Sequence, residues 1–255
     1  MREKKKVYLQ ECMDTVLRTS KKGKSQNILL IKHNNAFCMD IKDVKGIYHK
    51  YNSLHAGRPY EPFLDIIKEY VAEKSLEDDS YSIEAFFDKT GVYPAHREIL
   101  KTYFEDGRCT RQEELMLGEF WYEKQKFQEA VLHMVQEIAN QQLLFLVLDE
   151  INVASSSVHW LLEQMIRQDK SNSIKMVLVF NEAGETLPYA ENSLRELMQL
   201  CEKKDIVYNW IMEADESRPG TEKENFEVSA FVENLGNLMY TFEYEQANYF
   251  FEINF

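Results

Sequence analysis

Continuous apolar runs alternate with helical spacings in the second half of the chain. Residues 143–148 and 174–180 lack the alternation of a half-exposed strand, so they predict strands that are buried on both faces. Residues 206–212 predict a third strand. The intervening segments, 155–169 and the residues that follow Ser193, repeat apolar side chains every three or four positions, which predicts amphipathic helices. This order, with short links, predicts parallel βαβ units and an α/β fold.

The sequence patterns in the first half of the chain and at its C-terminal end differ from this alternation of strands and helices. Residues 1–24 are basic and predict a helix followed by a turn, and a short apolar strand comes next. We predict an α/β domain over residues 25–225, with a helical insertion at about 55–140. Residues 226–255 predict a helical hairpin that forms a C-terminal appendage.

The composition narrows the class of protein. With 9 glycines and 5 prolines in 255 residues, turn residues are too scarce for an all-β sandwich or barrel. The net charge of −13 excludes binding of nucleic acid or anionic lipid through the bulk field of the chain. No apolar run is long enough to span a membrane, and 4 scattered cysteines favour free thiols in a reducing cytosol. We therefore expect a cytoplasmic protein with no membrane and no nucleic-acid partner.

Two carboxylates follow the first of the buried strands. Asp149 and Glu150 come directly after the apolar run, which is the Walker B pattern of ATPases. In that pattern the first carboxylate orients Mg²⁺ and its water shell, and the second activates the attacking water. Asn181 follows the next strand, and parallel sheets bind ligands at the carboxyl ends of their strands. The alternative interpretation is a buried strand that simply ends in polar residues.

These features together resemble the STAND branch of AAA-like P-loop ATPases. The similarity is carried by residues 149–154 (Asp-Glu-Ile-Asn-Val-Ala), by the amphipathic segment 155–169, and by Asn181 at the polar sensor position. Residues 59–64 (Pro-Tyr-Glu-Pro-Phe-Leu) are similar to a segment that family members often carry. The resemblance covers roughly residues 25–212.

The resemblance implies a parallel sheet of the P-loop NTPase type. It implies that Asp149 is a weak or vestigial Mg²⁺ ligand, that Glu150 is a vestigial catalytic base, and that Asn181 is sensor-like. The C-terminal hairpin resembles the opening unit of a tetratricopeptide-like array.

The phosphate loop of that family has no counterpart in this chain. None of the 9 glycines lies five residues before another, so the G-x-x-x-x-G-K-[ST] loop is absent. The residues after the first strand, 32–37, contain no glycine and no lysine–serine pair, while Gly23-Lys24-Ser25 precedes that strand. Segment 32–58 also looks too short and too polar for the helix and second strand of the family.

We therefore expect a catalytically degenerate STAND-like module that acts in cytoplasmic signalling or transcriptional regulation through protein–protein contact. No cofactor is expected, although Mg-ATP remains possible. One alternative is an active Mg-ATP-dependent signalling ATPase with an atypical phosphate loop. Another is a helical and α/β scaffold that has no relation to nucleotides.

Aromatic residues are concentrated in the C-terminal appendage. We expect either self-association or a protein partner at its apolar seam, with part of the seam exposed in the monomer. The seam consists of Phe231, Leu235, Leu238, Met239, Phe242, Ala247, Phe250 and Phe251. The alternative is that the hairpin folds back and completes the core of the sheet domain. In the helical insertion, we interpret Trp121, Tyr122 and Phe127 as core residues.

Overall fold

The computed structural model describes seven stretches of the chain. These are residues 27–33, 46–52, 58–78, 81–107, 120–168, 173–210 and 228–254. The predicted basic helix and turn in residues 1–24 lie outside the described residues. The chain divides into a sheet unit, Met1–Ser53 with Gln142–Lys223, and a helical unit, Leu54–Gln141 with Glu224–Phe255.

The described residues contain five strands, eight α-helices and two 3₁₀ turns. Along the chain they are β1 (Ile28–His33), β2 (Ile47–Lys50), α1 (Phe63–Glu77), α2 (Ile83–Thr90), α3 (Pro94–Asp106), α4 (Phe120–Gln141), β3 (Leu144–Asp149), a 3₁₀ turn (Ile151–Val153), α5 (Ser156–Arg167), β4 (Ile174–Asn181), a second 3₁₀ turn (Pro188–Ala190), α6 (Glu191–Lys203), β5 (Val207–Trp210), α7 (Val228–Tyr240) and α8 (Tyr244–Asn254).

The sheet unit contains one parallel sheet with the strand order β2-β3-β4-β1-β5. The predicted α/β fold with a parallel sheet is thus confirmed. Strand β3 is buried along its whole length between β2 and β4, as its unbroken apolar run predicted. The strand lies one residue later than predicted, because Leu143 is exposed and Asp149 is its last residue.

Strand β2 was missed by the sequence analysis. We expected segment 32–58 to be too short and too polar for the full helix and second strand of the family, and β2 shows that the strand part of this expectation was wrong. The part that concerns the helix falls on residues outside the described ones. Strand β2 lies at the edge of the sheet and its side chains are only half-buried, so it does not need an apolar sequence. Gly46 allows the close approach to β3, since a Cβ there would lie 2.8 Å from the Phe145 carbonyl oxygen.

The parallel arrangement brings the carboxyl ends of all five strands to one side of the sheet. Strands β1 and β4 are neighbours in this sheet. The chain runs from β1 to β2, at the edge beyond β4 and β3, whereas it runs from β4 to β5, at the opposite edge beyond β1. Connections that leave neighbouring strands in opposite directions open a crevice at their carboxyl ends, where α/β proteins bind ligands. His33 and Asn181 are paired in register at this point.

The helical unit is built on α4, which contacts α1 and α2. Phe127 of α4 is fully buried, as predicted, and its ring lies 5.4 Å from that of Tyr60. The prediction for Trp121 and Tyr122 was wrong, since these side chains are 71% and 54% exposed. Both precede the buried stripe of α4, which begins at Glu123.

The C-terminal hairpin contributes to the core of the helical unit. Phe242, in the turn between α7 and α8, lies 5.8 Å from the ring of Phe127, and Asn237 donates a hydrogen bond to the Gly107 carbonyl at 2.9 Å. Most of the predicted apolar seam is buried. Met239 and Phe251 are its exposed members. Among the described residues, no helix has the length and apolar character needed to cross a membrane.

Candidate functional site

The carboxylate of Asp149 lies at the end of β3 and is almost completely buried. Its Oδ2 accepts a hydrogen bond from the Tyr48 hydroxyl at 2.9 Å, and its Oδ1 accepts one from the Glu150 backbone N–H at 2.9 Å. Burial raises the pKa of Asp149 above its ordinary value, while the Tyr48 hydrogen bond and the Lys50 charge act in the opposite direction. Each oxygen of this carboxylate is thus engaged by a donor of the protein.

Glu150 turns the chain out of β3 and points toward the next strand. Its φ of 56° is left-handed, a conformation that non-glycine residues adopt only when their surroundings require it. The carboxylate Oε1 lies 3.4 Å from Asn181 Nδ2 and 4.0 Å from Lys50 Nζ. Two of the predicted site residues, Glu150 and Asn181, are therefore brought together, and Lys50 joins them from β2.

Asn152 ties the loop after β3 to the loop after β4. Its side chain is buried; Nδ2 donates to the Glu185 carbonyl, and Oδ1 accepts from the Asn181 backbone N–H at 3.4 Å. Gly184 leaves room for this amide, because a Cβ at that position would lie 2.6 Å from Asn152 Nδ2. The position of Asn181 relative to Glu150 is thus fixed by a second asparagine.

His159 connects the 3₁₀ turn after the acidic pair to the start of α6. It is buried on α5, a helix that Ser155 caps by accepting a hydrogen bond from the Val158 N–H. Its Nε2 lies 2.8 Å from the Ile151 carbonyl, and its Nδ1 lies 2.9 Å from the Ser193 hydroxyl. Burial lowers the pKa of His159 to about 4, so the ring is neutral at pH 7. The Ile151 carbonyl can only accept, so Nε2 donates in this contact when it carries the proton.

The acidic pair does not fit a directly bound Mg²⁺. A hard cation of this size takes about six oxygen ligands in octahedral geometry. Both oxygens of Asp149 already accept hydrogen bonds, and the Glu150 carboxylate faces Asn181 and Lys50. Within the described stretches, no cluster of three or more His, Cys, Asp or Glu side chains is arranged to hold a metal ion.

The site includes residues that the sequence analysis did not select, namely Tyr48, Lys50, Asn152 and His159. Tyr48 and Lys50 reach the acidic pair because β2 lies beside β3, with Lys50 in register with Asp149. The only sequence signal for them is their spacing of two, which places both on one face of a strand.

Comparisons with protein-family models, with curated proteins and with solved structures find no match to this chain.

Proposed function

We propose that this chain is a catalytically degenerate STAND-like module that acts by protein–protein contact in cytoplasmic signalling or transcriptional regulation. The parallel sheet, the acidic pair at the end of β3 and Asn181 at the end of β4 support a P-loop NTPase-type domain. The strand order supports it as well, because β1, which the family's phosphate loop would follow, lies directly beside β4. The sequence lacks that loop and its lysine.

The hydrogen bond from Tyr48 to Asp149 is the observation that carries this proposal. In a working magnesium site, the carboxylate oxygens accept hydrogen bonds from the water shell of the ion or bind it directly. Here a phenol and a backbone amide take those positions, and a lysine balances the second carboxylate. The acidic pair therefore serves as a structural junction between β2, β3 and β4.

The helical unit supports the proposed mode of action. The α7–α8 hairpin resembles the opening unit of a tetratricopeptide-like array, in which helical hairpins present surfaces to other proteins. Exposed apolar side chains on this hairpin are the expected contact surface.

A second candidate function is an active ATPase with an atypical phosphate loop. It is favoured by Lys50, whose side chain is half-exposed and whose ammonium group lies near Glu150. A lysine in this position would meet the phosphates of a nucleotide that bound beside the acidic pair.

Calorimetric titration with Mg-ATP separates the two functions. We expect no saturable heat from the wild-type chain, and an identical trace from the matched variant Asp149→Asn. We also expect no phosphate release above background. Saturable heat or steady hydrolysis that Asp149→Asn removes would establish the active ATPase instead. Loss of either signal in Lys50→Ala would then assign the phosphate contact to Lys50.

A further inference from the structure

The C-terminal hairpin, formed by α7 and α8, has a small hydrophobic core of its own. The buried members of this core are Phe231, Leu238, Ala247 and Phe250, and the rings of Phe231 and Phe250 are stacked with centroids 5.1 Å apart. Among the described residues, no side chain of α1–α4 belongs to this cluster. The two helices of the hairpin are thus packed against each other by their own side chains.

The ring of Phe242, in the turn of the hairpin, packs against two other helices of the helical unit. It is fully buried, and its centroid lies 5.5 Å from the ring of His96 on α3. It also lies 5.8 Å from the ring of Phe127 and 6.5 Å from that of Phe120, both on α4. Tyr244, the first residue of α8, adds a contact with Phe120 at 4.7 Å but is only half-buried. We call His96, Phe120 and Phe127 the aromatic pocket.

Hydrogen bonds next to the aromatic pocket add less than the buried ring. The Tyr60 hydroxyl donates to the Thr241 carbonyl over 3.5 Å, and the Gln246 side-chain amide donates to the Arg58 carbonyl over 3.5 Å. Both distances lie beyond the usual range of a hydrogen bond, so each bond is weak. A shorter one, of 2.9 Å, joins α7 to the end of α3. Burial of the Phe242 ring is therefore the main described contact that docks the hairpin.

Phe242 occupies a backbone position that favours glycine. Its φ is 65°, and it follows the end of α7 in a Schellman motif. In this motif the Phe242 N–H donates to the Met239 carbonyl at 3.3 Å, and the Glu243 N–H donates to the Leu238 carbonyl at 2.8 Å. A phenylalanine in this conformation carries a backbone penalty that glycine would avoid. Ring burial offsets that penalty only while the ring fills the aromatic pocket.

We propose that the C-terminal hairpin opens from the helical unit as one piece, with the Phe242 ring as its main anchor, and that opening uncovers the aromatic pocket. The core within the hairpin lets α7 and α8 move together. The helical unit is assembled from residues 54–141 and 224–255, so the hairpin can separate from α1–α4 without breaking a helix. The unit thus has a closed state and an open state with different accessible surfaces. This inference goes beyond the proposed function and does not rest on it.

Hydrogen exchange of the full chain, read on peptides from α4, α7 and α8, tests the proposal. In the wild type we expect α7 and α8 to share one protection factor, about tenfold or more below that at the centre of α4. Phe242→Gly removes the ring and favours the backbone of the turn, so protection of both hairpin helices should fall by a further factor of about ten. Protection at the centre of α4 should stay within about twofold. Tyr240→Ala is the matched control, because it removes an exposed ring two residues earlier and should change none of the three helices.

Three results would overturn the inference. Equal protection of α4, α7 and α8 in the wild type would show that the hairpin opens only when the whole unit unfolds. Unchanged protection in Phe242→Gly would show that the ring is not the anchor. The milder variant Phe242→Leu fills part of the aromatic pocket, and loss of α4 protection in it would show that the hairpin and α1–α4 form one cooperative core. The titration with Mg-ATP tests the proposed function separately, because it reads the acidic pair of the sheet unit.

Discussion

The phenol of Tyr48 donates a hydrogen bond to Asp149 over 2.9 Å, although the two residues are 101 positions apart in the chain. The contact exists because β2 runs parallel to β3 at the edge of the sheet. A short edge strand thus supplies the group that satisfies the buried carboxylate. Asp149 therefore depends on β2 for one of its two hydrogen bonds.

Removing the hydroxyl group of Tyr48 should destabilise the fold. Tyr48→Phe leaves a buried carboxylate oxygen without its side-chain donor, and we expect a loss of about 1–2 kcal/mol in the free energy of unfolding. Urea denaturation at neutral pH measures it. Tyr122→Phe is the matched control, since Tyr122 is exposed, and it should change little. Equal stabilities for the Tyr48 variant and the wild type would show that the hydrogen bond contributes nothing.

Asp149 should lower stability at neutral pH. Because burial raises its pKa, the folded chain holds the Asp149 proton more tightly than the unfolded chain does. The free energy that this tighter proton binding adds to the folded state is therefore fully present at low pH. It is lost as the pH rises from 3.8, the ordinary pKa of aspartate, through the raised pKa of the folded chain. Asp149→Asn cannot ionise, so it should be more stable than the wild type at pH 7.

The difference between Asp149→Asn and the wild type should shrink as the pH approaches 4. Thermal unfolding at several pH values measures this. Asp106→Asn makes the same replacement at an exposed aspartate of α3 and is the matched control. A variant less stable than the wild type at pH 7 would mean that the hydrogen bonds donated to Asp149 stabilise the fold by more than the burial of its charge destabilises it.

His159 should make the fold sensitive to acid. Its pKa is about 4 in the folded chain, whereas the ordinary pKa of histidine is 6.5. Between these two pH values the unfolded chain therefore binds more protons than the folded chain does. Stability should therefore fall as the pH drops through this window, by up to about 3 kcal/mol. His159→Gln keeps an amide donor for the Ile151 carbonyl but does not titrate, so its stability should depend less on pH. His133→Gln, at an exposed histidine, should retain the wild-type slope.

Strand β3 should tolerate truncation poorly. Leu146 is fully buried at the centre of β3, so Leu146→Ala should leave a cavity that costs about 2–5 kcal/mol. Leu76→Ala, at a residue that is 89% exposed, should change stability by no more than about 0.5 kcal/mol. Chemical denaturation of the two variants measures the contrast. A loss below about 1 kcal/mol at Leu146 would contradict the burial of this strand.

Burial explains which elements the sequence could predict. Strands β3 and β4 are covered on both faces, so their apolar runs identify them directly. Strand β2 is an edge strand with half-buried side chains, and its sequence Ile-Tyr-His-Lys carries no such signal. Trp121 was misplaced because an aromatic residue near the start of a helix has no neighbouring pattern that shows which way it faces.

The residues of the candidate site also fall into two groups, those that the sequence predicts and those that it does not. Asp149, Glu150 and Asn181 follow strands that the sequence predicts, and parallel strands bring their ends to one edge of the sheet. Tyr48 and Asn152 could not be predicted. Tyr48 depends on which strand lies beside β3, and Asn152 depends on how two loops pack against each other. Neither relationship is encoded in local spacing.

The internal position of β1, between β4 and β5, has a consequence for synthesis of the chain. Ile28 pairs with Met176, and Leu30 pairs with Val207, so both neighbours of β1 are translated late. An apolar strand therefore emerges from the ribosome about 150 residues before its first partner. Strands left unpaired in this way are sites of aggregation, and chaperones protect them. The yield of soluble protein should therefore depend on chaperone supply, with β1 as the segment that chaperones must cover until β4 has been made.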